Sequence, residues 1–157
     1  MRGRPRRAAR TVPRPPGRDA DFRILGPHIM AHLIFEYSGN LAQEGDIPGL
    51  LRKANHVLID TGLFPPGGIR SRALRLEEYC VAEGDHDDAF VHATVKIGAG
   101  RDPQAVRDTA QALFDVMKQH FDALFRRRTL ALSLELSEFS EAGTLKHNNI
   151  HARYAKR

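Results

Sequence analysis

Only one cysteine, Cys80, occurs in the sequence, so an intrachain disulfide is excluded and the chain suits a reducing, cytoplasmic compartment. A lone thiol acts as a nucleophile only beside a positioned base, and none can be assigned, so Cys80 is expected to be a core or half-buried residue. Apolar runs long enough to span a membrane or to drive secretion are missing. Acidic residues are scarce at the amino-terminal end, where eight arginines in residues 1–30 face only Asp19 and Asp21. Residues 31–157 are therefore near neutral, and the pI of about 9.8 belongs to the leader.

That leader, residues 1–30, is built from pieces such as Arg4-Pro5-Arg6-Arg7 and Pro13-Arg14-Pro15-Pro16-Gly17. It has too little apolar surface to fold alone, and its prolines rule out an amphipathic helix. Three readings stand: translated GC-rich DNA upstream of a start at Met30, a disordered tail, or a targeting or nucleic-acid arm. With almost no aromatics to stack on bases, the arm is the weakest of them, and nucleic acid is not expected as a partner.

The sequence as a whole has an ordinary globular composition, 41% hydrophobic and 27% charged, enough for one domain with a core in residues 31–157. In Met30-Ala31-His32-Leu33-Ile34-Phe35-Glu36-Tyr37, the residues Leu33, Phe35 and Tyr37 alternate with His32, Ile34 and Glu36, which is strand periodicity. If the chain starts at Met30 and Met30 is removed, the amine of Ala31 is held at the lip of a sheet, where it can act as a base.

Asp46-Ile47-Pro48 reads as a helix cap with proline in the first turn, and Leu50, Leu51, Ala54, Val57 and Leu58 share a face up to Gly62. After the turn Phe64–Gly68, a strand is expected from Ile69 to about Tyr79, with Arg70, Arg72, Leu74 and Leu76 on one face. Gly84–Asp88 is another turn, and Ala89–Ile97 has a central-strand pattern. Asp102-Pro103 opens a longer helix carrying Val106, Ala110, Leu113, Phe114, Met117, Phe121, Leu124 and Phe125 on one side and ending at Arg126-Arg127-Arg128. Thr129–Leu136 alternates strictly. The expected fold class is α/β (α+β): two strand-helix-strand units forming a four-stranded mixed sheet with two helices on one face.

The stretches Asp46-Ile47-Pro48-Gly49-Leu50, Thr61-Gly62-Leu63-Phe64-Pro65, Gly68-Ile69-Arg70-Ser71-Arg72, Ala89-Phe90-Val91-His92, Lys96-Ile97-Gly98-Ala99-Gly100-Arg101 and Asn148-Asn149-Ile150-His151-Ala152 carry a family resemblance. Residues 31–157 resemble 5-carboxymethyl-2-hydroxymuconate delta-isomerase, of the tautomerase superfamily. The resemblance implies a homotrimer, to whose contacts the tail Leu145–Tyr154 is expected to contribute. It also implies a cofactor-free isomerase of aromatic-acid catabolism, acting after ring cleavage of homoprotocatechuate. The family's base is an amino-terminal proline, and this chain has Ala31 at that position, which supplies an amine only if it is amino-terminal. Pro27-His28 resembles the family's opening dipeptide but stands four residues too early for the strand register.

The resemblance places Arg70 and Arg101 at the family's active-site arginines. Their chemistry suits a substrate with three carboxylates: a guanidinium is a rigid, permanently charged bidentate donor, and one beside the 2-hydroxy acid end stabilises the dienolate oxygen as the proton leaves. Arg72 is expected at the rim, and His32 on a strand face beside the amine. Gly98-Ala99-Gly100-Arg101 lacks the third glycine of a dinucleotide turn. His147 and His151 are spaced as a helical metal pair but have no third ligand, so no metal is expected. His86-Asp87-Asp88 reads as a hydrogen-bonded turn. Beside the isomerase stand two alternatives. One is a homologue of the same fold with lost or altered activity because of Ala31; the other is a basic-tailed nucleic-acid binder, disfavoured because the folded part is near neutral and its arginines are not gathered with aromatics on one face.

Overall fold

Strand β1 (Ala31–Ser38) buries Ala31, Leu33 and Phe35 on one face and leaves His32, Ile34 and Glu36 half-buried on the other, as the alternation requires. The protein is seen here as a computed structural model that describes residues 30–140 and 142–154. The expected 1–30 leader, with Pro27-His28, lies outside the described residues except for Met30. β1 pairs in parallel with β2 (Ile69–Leu76) and antiparallel with β3 (Ala89–Gly98), while β3 pairs in parallel with β4 (Leu130–Phe139), giving the order β2-β1-β3-β4. Helix α1 (Ile47–Asp60) joins β1 to β2, and α2 (Pro103–His120) with the short α3 (Asp122–Phe125) joins β3 to β4. This is the mixed sheet of two strand-helix-strand units expected from the sequence.

The cap chemistry is realised at both helices. Asp46, in the left-handed region at φ 39°, accepts from the Gly49 N–H at 3.2 Å, and a Cβ on Gly49 would collide with that carboxylate. Asp102 accepts from the Ala105 N–H at 3.0 Å. At the far end of α1, Thr61 Oγ1 donates to Leu58 O and accepts from Leu63 N–H, and Gly62 at φ +68° turns the chain away. Leu50, Ala54 and Leu58 of α1 and Leu113, Met117 and Phe121 of the second unit bury against Leu33, Phe35, Val91, Ala93, Val95 and Ile97. The helices thus cover one face, and Arg70, Arg72, Leu74 and Leu76 lie together on the other.

Three expectations need correction. The second helix is not continuous: it breaks at Phe121 (φ −96°, ψ 7°). There His120 donates to Gly45 O at 2.8 Å and accepts from Lys53 at 3.1 Å, tying the helix end to α1, and the offset lets Phe121 and Leu124 bury while Phe125 is 59% exposed. Strand β2 stops at Leu76 instead of Tyr79, since Glu77 folds back to pair with Arg75 at 2.8 Å and Tyr79 packs edge-on against Phe90. Cys80 therefore falls in the loop and is exposed, not in the core. His147 and His151 do not share a helix, because His151 sits in a 3-10 turn, Ile150–Arg153, that begins after His147.

The His86-Asp87-Asp88 segment also departs from its expectation: it is a bend and irregular chain, not a hydrogen-bonded turn, and the backbone turn lies earlier, with the Gly84 N–H donating to Val81 O at 2.9 Å. The segment is held from outside, with Asn40 donating to Asp87 and to Asp88 O, and Arg128 pairing with Asp87 and Glu44. Among the described residues no helix is long and apolar enough to cross a membrane, and no group of three or more His, Cys, Asp or Glu could hold a metal ion.

Candidate active site

Ala31, the first residue of β1, is paired at its Cα with Ile69 of β2 on one side and with Ile97 of β3 on the other. The next residue after Ile69 is Arg70, and the next after Ile97 is Gly98, which opens the turn to Arg101. Parallel pairing with β2 and antiparallel pairing with β3 bring the start of β2 and the end of β3 to the same end of the sheet as the start of β1. The topology, with no side chain invoked, therefore puts both sequence-predicted arginines around the Ala31 position.

The two arginines are fixed by the same device. Arg70 Nη1 donates to Gly67 O and Ile69 O, each at 2.9 Å, and Arg101 Nη1 donates to Gly98 O at 2.7 Å. In each case a guanidinium folds back onto a glycine carbonyl three residues earlier, which restrains a long side chain that would otherwise be free to rotate. Both side chains are half-buried. Arg101 also lies over the Phe64 ring, 4.4 Å from its centroid, and reaches Leu63 O at 3.4 Å. Burial pushes the Arg101 guanidinium below its ordinary value, with the charge of Glu138 opposing that shift. No carboxylate lies within ion-pair distance of Arg70 or Arg72 among the described residues.

His32 reports the field around Ala31. It stands opposite Arg70 on β2 and Lys96 on β3, and its imidazole is held below its ordinary value first by burial and then by the charges of Arg72, Arg70 and Lys96. Arg72 itself is exposed at the rim on the same face. The Gly98–Arg101 turn is occupied by the chain's own guanidinium, and Asp102 beyond it caps α2, so it is not a phosphate cradle.

Two contributors went unassigned in the sequence reading. Phe64, 2% exposed, is the platform for Arg101, and its place in Thr61-Gly62-Leu63-Phe64-Pro65, one of the resemblance-bearing stretches, was the available signal. The tail is the other: Asn148 Nδ2 donates to the same Gly67 O that Arg70 uses, at 2.9 Å, and His151 sits against Gly67. Asn148-Asn149-Ile150-His151-Ala152, another resemblance-bearing stretch, was a signal that the tail matters, but periodicity and spacing around residue 148 do not point to Gly67.

The family model for 5-carboxymethyl-2-hydroxymuconate isomerase matches residues 31–154. A 5-carboxymethyl-2-hydroxymuconate Delta-isomerase of Escherichia coli is 45% identical over 125 residues, 80% of this chain and 99% of its own. The crystal structure of a 5-carboxymethyl-2-hydroxymuconate isomerase from Deinococcus radiodurans R1 is 53% identical, covers 81% of this chain and 96% of its own, and superposes with a TM-score of 0.77. A fused 4-OT solved as a symmetric trimer shares the fold at 15% identity, with a TM-score of 0.52 over 80% of this chain and 99% of its own.

Proposed function

This chain belongs to the 5-carboxymethyl-2-hydroxymuconate isomerase family, and on that premise we propose that it is a cofactor-free isomerase that moves a proton within 5-carboxymethyl-2-hydroxymuconate or a similar carboxylated dienol. In the proposed reaction the free amine of an amino-terminal Ala31 takes the proton of the 2-hydroxyl group. The electron pair left on oxygen forms the 2-oxo group, the double bonds shift along the chain, and the ammonium returns the proton to a distant carbon. No atom is gained or lost, and no electrons leave the substrate. Arg70 and Arg101 bind substrate carboxylates, and the one nearer the 2-hydroxy acid end stabilises the dienolate oxygen while the proton is on the amine.

The observation that carries this reading is the register of Ala31 between Ile69 and Ile97, which gathers the amine position and two restrained guanidinium groups at one end of the sheet. An internal Ala31 nitrogen is an amide and accepts no proton at neutral pH, so the working form begins at Ala31. The test is a rate assay on the full-length chain and on the Ala31-terminal chain, after intact-mass measurement of each. Activity confined to the Ala31-terminal form is expected, and equal activity from both forms would sink the amine mechanism. The substitution of alanine for the family's proline is the specific feature favouring the second reading, a homologue of altered activity. An Ala31-terminal chain inactive on this dienol would establish that reading.

The assembly belongs to the same proposal. Strands β2 and β4 are sheet edges with unpaired backbone groups in the single chain, and Leu145, at the start of the tail, is 97% exposed. A homotrimer that closes these edges, with Leu145–Tyr154 in the contacts, is expected to scatter light at about three times the chain mass. A stable monomer at micromolar concentration would rule it out.

A further inference from the structure

The carbonyl of Gly67 is shared. It accepts Arg70 Nη1 and Asn148 Nδ2, each at 2.9 Å, and so joins a strand arginine to an amide that stands 81 residues beyond Gly67 in the chain. The other end of the Asn148 amide is also used, because Oδ1 accepts the Ile150 N–H at 2.8 Å and sets the 3-10 turn Ile150–Arg153. That turn seats His151 against Gly67 so closely that a Cβ built on Gly67 would lie 2.7 Å from His151 Nδ1 and 3.0 Å from its Cα and N. Backbone atoms of His151 cannot move aside without moving the tail, so only glycine fits. His151 feels the arginine as well: burial and then the charge of Arg70 hold its imidazole below the ordinary value.

We propose that Asn148 and His151 are positioning residues for Arg70: the tail holds the Pro66–Gly68 turn, and the Gly67 carbonyl in turn sets where the guanidinium points. The inference rests on the reading of Arg70 as a carboxylate-binding group. It makes the carboxyl-terminal segment part of the substrate-binding apparatus, and a tail seated against Gly67 a condition for high affinity.

The test needs a readout that does not depend on turnover. Muconate, a dicarboxylate without the 2-hydroxyl group, is titrated calorimetrically into the full-length chain and its variants. Asn148→Ser keeps an oxygen able to accept the Ile150 N–H, so the turn survives, but it is too short to reach Gly67. Gly67→Ala attacks the same contact from the opposite side. Each is expected to weaken muconate binding about three- to ten-fold, the scale of one lost hydrogen bond, and to weaken it no further in an Arg70→Ala background. An effect of Asn148→Ser undiminished in that background would overturn the proposal, because the tail would then act independently of Arg70. Unchanged binding in both single variants would overturn it too while leaving the reading of Arg70 intact. If Arg70→Ala alone binds muconate like the parent, both fall.

Discussion

The ring of Phe64 offers a way to ask whether the position of Arg101 matters apart from its presence. Phe64 is 2% exposed and lies 4.4 Å beneath the Arg101 guanidinium. Phe64→Leu keeps an apolar, buried side chain and removes the π face. A half-buried cation over an aromatic ring gains about 1–2 kcal/mol, between the exposed and the desolvated cases. If the guanidinium must lie over that ring to meet the substrate, losing the platform lowers kcat/KM by roughly five- to thirty-fold at 1.4 kcal/mol per decade. The smaller ring-to-branched exchange in the core also costs about 1–2 kcal/mol of stability, the low end for losing buried ring atoms. Melting curves and steady-state kinetics on the Ala31-terminal form separate the two effects, since the stability cost persists in an Arg101→Ala background whereas the kinetic cost vanishes there. A folded Phe64→Leu variant with unchanged kcat/KM would refute the reasoning. Carbonyl contacts such as Gly98 O would then be sufficient to place Arg101.

Arg70→Ala and Arg101→Ala are each expected to fold and to lower kcat/KM by about 2–4 kcal/mol worth of transition-state stabilisation; parental turnover by either would remove that residue from the site. Ala31→Pro in the Ala31-terminal form is expected to raise the isomerase rate roughly ten-fold or more, because a pyrrolidine fixes the lone pair that a primary amine leaves free to rotate. The same change in the full-length chain should alter nothing. Acid should destabilise the fold through His32, whose folded-state imidazole titrates below its unfolded value near 6.5. The unfolded chain then binds the proton more readily, so this contribution is complete above pH 6.5 and is lost as pH falls below it. His32→Gln should flatten the drop in melting temperature between about pH 7 and 5, and an unaltered drop would show that other groups drive it.

Much of the architecture could be read from residue spacing, because each element carries its own signal. Alternation in residues 31–37 and 89–97, the Asp46 and Asp102 caps with their prolines, and the apolar stripe through Leu50, Ala54 and Leu58 are local facts, and local interactions honoured them. Failures came where a distant partner decided the outcome. The break at Phe121 depends on His120 meeting Gly45, 75 residues away, and no helical periodicity encodes that. Cys80 was expected inside on the general preference of a lone thiol for the core, whereas the chain leaves the sheet at Leu76 and Tyr79 packs on Phe90, which puts Cys80 in an exposed loop. The site divides in the same way. Arg70 and Arg101 were visible as residues of a recognised pattern, but their shared habit of folding onto a glycine carbonyl, and the tail behind Gly67, exist only in three dimensions.

That geometry also bears on how an alanine amine could do a proline's work. An ordinary α-amino group titrates at about 7.7–8.0, so near neutrality most of it is protonated and idle as a base. His32, the neighbour of Ala31, is already depressed first by burial and then by the charges of Arg72, Arg70 and Lys96. Any amine at Ala31 shares that positive surrounding, which disfavours its charged form and raises the fraction of free base. The same uncompensated charge attracts a carboxylated substrate, since neither Arg70 nor Arg72 is neutralised by a carboxylate among the described residues. In the proposed mechanism, substrate carboxylates, once bound, would partly cancel the field and make the amine more basic just as it must take a proton. On that proposal one cationic cluster would tune the resting base, recruit the anion and then relax its hold on the base. Proline in this setting would improve the direction of the lone pair within the same cationic surrounding, but its secondary amine is intrinsically more basic. The Ala31-terminal enzyme should therefore run more slowly than its proline variant and, as pH falls and the amine takes up a proton, lose activity at a lower pH than that variant does.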